Sequence, residues 1–153
     1  MARLEDIPEP TRTAVTNLAC PAFETAPFVA GPKLSERRVA IVSSAALIRR
    51  GDKPFPVGSG EYRTVPGTWG NADILMSHVS INFDRAGFQR DINVVFPINR
   101  LRDLAAEGVI GSVAATHFTV MGSTDPATMV ESADGMAAAM KADNVDAVVL
   151  TPV

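Results

Sequence analysis

Asp146-Ala-Val-Val-Leu-Thr-Pro-Val153 closes the sequence. Its uncharged apolar run, rich in β-branched residues and closed by Pro152, reads as a buried strand that has just reached its carboxyl end. In an open α/β sheet that end is where ligands bind and catalytic groups are mounted. The sequence stops there, so the expectation is an α/β domain that is C-terminally incomplete, whose edge chemistry belongs beyond Val153.

Working back from this strand, Pro126 to about Ala142 reads as a helix. Met129, Ala133, Met136, Ala137 and Met140 recur on one face, and Pro126 follows a polar N-cap. Gly122-Ser-Thr-Asp125 links that helix to a strand at Thr116–Met121. A second helix is expected at Ile98–Glu107, with Gly108 as its left-handed stop. Ile74–His78 reads as a second core strand and Val39–Val42 as the first. Residues 49–72 are broken by glycine and proline and read as a long loop, with a short strand at Tyr62–Val65. Strand, helix, strand, helix, strand is the grammar of a parallel sheet with crossover helices. The expected fold is a Rossmann-like three-layer domain with a mainly parallel sheet over residues 38–153. Residues 1–37 carry five prolines and read as an arm with a helical turn or two at Thr11–Leu18. The apolar Phe23, Phe28 and Val29 argue against a freely solvated tail.

The 153 residues suit one domain, with 46% hydrophobic and 20% charged residues. A net charge of −3 gives no basic stripe for nucleic acid or anionic lipid. No apolar run approaches the ~20 residues that span a bilayer. The N-terminus has no apolar core of a secretory signal, and the single Cys20 has no internal disulfide partner. A cytoplasmic protein is the simplest reading. One cysteine and two histidines without close spacing do not make a metal site. His117, inside an apolar strand, reads as a hydrogen-bonded core residue. His78 ends a strand and enters a polar loop with Ser77, Ser80, Asn82 and Asp84, which makes it the better site candidate. Asp91 and Asn93 suit helix capping or Asx turns, near enough to the ligand edge to be binding candidates. Gly122 and Ser123 lie between a strand and a helix start, where backbone N–H groups hold either a cap or an anion. Cys20 lies between Ala19 and Pro21 and reads as a small apolar contact.

Three runs are distinctive: Arg90-Asp-Ile-Asn-Val-Val-Phe-Pro-Ile-Asn-Arg-Leu-Arg-Asp-Leu-Ala-Ala-Glu-Gly-Val-Ile-Gly111, His117-Phe-Thr-Val-Met-Gly122 and Asp143-Asn-Val-Asp-Ala-Val-Val-Leu-Thr151. With them the chain from about Arg38 to Val153 closely resembles selenoprotein B of the glycine, sarcosine, betaine and D-proline reductases. The resemblance implies a redox-active selenocysteine, or cysteine, immediately after the strand that ends here, at the start of the next helix. That position would follow Val153, so the chain is expected to be the N-terminal portion of such a reductase, inactive alone. The family implies reductive C–N cleavage, a pyruvoyl-containing partner subunit and a thiol electron donor; a homo-oligomer is expected because the final strand, without the next crossover helix, leaves apolar surface exposed. The alternative is a non-catalytic α/β scaffold or small-anion-binding subunit.

Overall fold

The computed structural model describes residues 3–17, 24, 26–80 and 85–153. Cys20, Phe23, Asn82 and Asp84 lie outside the described residues. Contacts divide the chain into Met1–Ala30 and Gly31–Val153. The first unit holds helix α1 (Thr11–Thr16), whose start is held by Glu9; its carboxylate accepts the Thr13 N–H and hydroxyl.

The second unit is a mixed α/β fold built on β1 (Arg38–Ser43). Strand β7 (Ala147–Thr151) pairs parallel along its whole length with β1, from Val39–Ala147 to Ser43–Thr151. On the other side of β1 lie β5 (Ser112–Val113) and β6 (Thr116–Val120), both parallel to it. Strand β3 (Tyr62–Pro66) closes that side antiparallel to β6. The sheet is therefore mostly parallel, with one antiparallel edge strand. The expected second core strand is corrected: β4 (Ile74–Met76) does not join this sheet. It pairs antiparallel with β2 (Leu47–Arg49) in a separate two-stranded ribbon. Chain direction explains the difference. Ala46 takes φ +51°, in the left-handed region, and turns the backbone out of β1 straight into β2. A nearby short strand is thereby ready to pair.

Alternation along the strands sorts the core. Val39 and Ile41 of β1, Val65 of β3 and Val149 of β7 share one face with Phe96, with Phe88 of the short helix α2 (Ala86–Arg90) and with helix α3 (Ile98–Ala106), which buries Ile98 and Leu101. Gly108 (φ +71°) ends that helix as expected. On the opposite face, Phe118 and Val120 of β6 meet Met136 and Met140 of α4 (Val130–Ala142), with Val42 and Tyr62 alongside. The first turn before α4, Pro126–Met129, is a 3₁₀ turn capped by Asp125. Val148 and Leu150 of β7 point to this same face, and neither belongs to its cluster; they are 43% and 72% exposed.

Candidate functional site

The carboxyl ends of β1, β6 and β7 meet at Ser44. Its backbone N–H donates to Thr151 O at 3.1 Å, and its carbonyl accepts the Gly122 N–H at 3.0 Å. Its hydroxyl accepts the Val153 N–H at 2.8 Å. Parallel strands start and finish on common sides, so three chain segments deliver their polar ends to one place.

His78 reaches the same place from beyond the end of β4. A Cβ on Gly122 would lie 2.9 Å from His78 Nε2, 2.9 Å from the Ser44 carbonyl and 3.0 Å from the Ser44 hydroxyl. Only glycine lets the imidazole come this near the strand ends. His78 is 4% exposed, and Nδ1 accepts the Ser80 N–H at 3.1 Å. That bond puts the proton of the neutral ring on Nε2, the atom facing Gly122. Burial, and secondarily the Arg85 guanidinium, hold the His78 pKa below its ordinary value. Arg85 Nη2 donates to the carbonyls of His78 and Ser80 at 2.7 and 2.6 Å and fixes the loop that presents the ring. The chemical result is a neutral imidazole offering an N–H donor at the carboxyl edge of a parallel sheet.

The other candidates fall into two groups. Gly122 is part of the cluster around His78, and Ser123 follows it on the exposed loop. The helix start after Ser123 is already capped. Asp125 Oδ1 accepts the Ala127 N–H at 3.0 Å and the Asp125 carbonyl accepts from Thr128. A carboxylate of the chain thus occupies the place an external anion would take. Asp91 and Asn93 do local work: Asp91 Oδ1 accepts the Asn93 N–H at 2.9 Å, and Asn93 Oδ1 accepts the Asn99 N–H in the first turn of α3 at 3.1 Å. The Asn93 backbone N–H, and after it the Asn93 side-chain amide donating to the same oxygen, hold the Asp91 pKa low. Asp91 also lines a cavity of about 270 Å³ with Asn71, Ile74, Phe88 and Arg90. His78, Gly122 and Ser123 do not line it; Ile74, where β4 begins, does. Ser44 was not singled out from the sequence. The available signal was the pair Ser43-Ser44 directly after an apolar strand, at the end where function concentrates. Among the described residues no group of three or more His, Cys, Asp or Glu is placed to hold a metal, and no helix is long and apolar enough to cross a membrane.

Comparison with known proteins places the chain in a family. Residues 11–153 match the family model of glycine/sarcosine/betaine reductase selenoprotein B. The chain belongs to that family. It is 33% identical over 122 residues to D-proline reductase subunit gamma of Acetoanaerobium sticklandii, covering 78% of this chain and 50% of that subunit. It is 29% identical to glycine reductase complex component B subunit gamma of Carboxydothermus hydrogenoformans and 32% identical to sarcosine reductase complex component B subunit beta of Peptoclostridium acidaminophilum. Each of those alignments covers 89% of this chain and 33% of the relative. The chain thus spans between a third and a half of the length of these relatives. No solved structure matches.

Proposed function

We propose that this chain is the N-terminal portion of a selenium- or thiol-dependent reductase that cleaves C–N bonds of glycine-, betaine- or proline-like substrates. In this reading the sheet is the first part of a Rossmann-like three-layer frame, and the redox residue follows Val153. The observation that carries it is the position of Val153: it is bonded to Ser44 and shares the strand edge with Gly122 and His78. A residue placed one step further stands at the ligand edge of a parallel sheet and opens the next helix. A helix N-terminus stabilises a selenolate or thiolate, and the anion is the attacking form.

The residues present fit such a group. His78 is neutral with its ring proton on Nε2, which suits hydrogen bonding to an anion beside it. Gly122 leaves the approach open. Ser44 holds the strand ends in register. A chalcogenolate there would attack the substrate carbon as the C–N bond breaks, with the departing amine taking its proton from solvent; two thiolates of the donor and a further proton would then free the reduced carbon and restore the chalcogenolate as the donor becomes a disulfide. A pyruvoyl-containing subunit that binds the amino substrate and a homo-oligomeric assembly complete the proposal. The relatives' names, as subunits and components of reductases and their complexes, support a multi-subunit setting.

The test is turnover. Residues 1–153 given a dithiol and candidate amines are expected to release no amine. The native-length gene product with its partner subunits is expected to release it, with the rate falling at least tenfold in His78→Leu. Turnover by residues 1–153 alone would overturn the assignment of the nucleophile to a position after Val153.

A further inference from the structure

We propose that Ser44 is a positioning residue of this site: its hydroxyl sets the direction in which the chain leaves β7. The role of that direction in catalysis rests on the reductase reading above; the bonding does not.

A parallel ladder has a fixed rhythm. After Ser44 N–H donates to Thr151 O, the next bond of the ladder runs from the Val153 N–H to the Ser44 carbonyl. Here that carbonyl is taken. It has turned toward β6 and accepts the Gly122 N–H at 3.0 Å. The Ser44 side chain replaces it: Oγ accepts the Val153 N–H at 2.8 Å. One residue therefore serves both neighbours of β1 at once, the carbonyl holding β6 and the hydroxyl holding β7. Without the hydroxyl, β7 loses its last tie to β1 just where the chain must be aimed. The same Oγ would lie 3.0 Å from a Cβ on Gly122, whose other close neighbours are the Ser44 carbonyl and His78 Nε2. The atom that aims the chain out of β7 thus borders the imidazole donor. Alanine removes the acceptor, whereas threonine keeps it.

Two measurements on Ser44→Ala and Ser44→Thr test the proposal. In residues 1–153, amide exchange followed by NMR reads the bond directly. Ser44→Ala is expected to speed exchange at Val153 about tenfold, the loss expected for one such hydrogen bond, with Val149 unchanged and Ser44→Thr close to wild type. Unchanged exchange at Val153 in Ser44→Ala overturns the proposal. In the native-length reductase, Ser44→Ala is expected to lower kcat about tenfold or more with KM unchanged, and Ser44→Thr to restore it. Faster exchange at Val153 with an unaltered kcat would also overturn it, since the bond would then aim nothing of consequence. A wild-type reductase without turnover would sink the proposed function instead and leave the Val153 result standing.

Discussion

His117 shows how one buried side chain substitutes for a missing backbone bond. β5 and β6 are interrupted at Ala114–Ala115, so β1 lacks a continuous neighbour there. His117 Nδ1 accepts the Ile41 N–H at 3.0 Å, and its ring meets Phe96 edge-on at 5.4 Å. The ring is fully buried, and burial, followed by the charge of Arg102, lowers its pKa to about 4. Above pH 6.5 the ring is neutral folded or unfolded. Between pH 6.5 and 4 the unfolded chain binds the extra proton, so stability falls as pH falls. The loss should approach ~3 kcal/mol near pH 4, and urea unfolding of His117→Gln should flatten that slope. His117→Ala should cost about 3 kcal/mol at pH 7, because it leaves a buried N–H without a partner and opens a cavity. Gly122 is the opposite case, a position that tolerates no side chain. Gly122→Ala should cost about 1–3 kcal/mol through overpacking against the Ser44 carbonyl and His78, readable as a lowered melting temperature. The core placement of His117 was legible from its apolar strand. Its partner was not, because a break between two strands leaves no periodic mark in sequence.

At the scale of elements, the amino end of the sheet is fastened by Arg38. Its guanidinium pairs with Asp143 at 2.7 Å and donates to the carbonyls of Asp143 and Val113 at 2.8 and 3.1 Å. Asp143 also accepts the Ala115 N–H, and these contacts, Arg38 foremost, keep its carboxyl below the usual range. The starts of β1 and β7 and the gap between β5 and β6 are thus joined through one side chain. Arg38→Met should lower stability by about 1–2 kcal/mol, discounted for partial exposure, and less in high salt; denaturant melts at two ionic strengths measure both. Long amphipathic elements were the legible ones. α3 and α4 show their apolar faces at helical spacing, and β1, β6 and β7 are near-continuous apolar runs. β2 and β5 escaped notice because two or three residues carry no period. β4 was seen as a strand and given to the wrong sheet, since pairing depends on the turn at Ala46, an ordinary residue in a left-handed conformation.

For the domain as a whole, the two faces of the sheet are unequally covered. α3 and its neighbours cover β7 on one face through Val149 and Ala147. On the other face α4 stops short, and Val148 and Leu150 lie exposed on an uncharged strand. An open apolar edge of this kind promotes association. Residues 31–153 should therefore self-associate with rising concentration in analytical ultracentrifugation, and Leu150→Lys should shift the population to monomer without loss of the cooperative melt. That the strand edge would carry polar groups was legible from the end of β7. That Ser44 would organise them was not, because the contact joins residues 109 apart in sequence.

In the proposed reading the reactive group stands one residue past Val153, beside Ser44, Gly122 and His78. That placement can be checked by mapping, by mass spectrometry, the residue that iodoacetamide alkylates in the dithiol-reduced native gene product. The label is expected on a selenocysteine or cysteine immediately after Val153, with labelling slowed by a bound amino-acid substrate. A label confined to Cys20, or no reactive residue adjoining Val153, would contradict it.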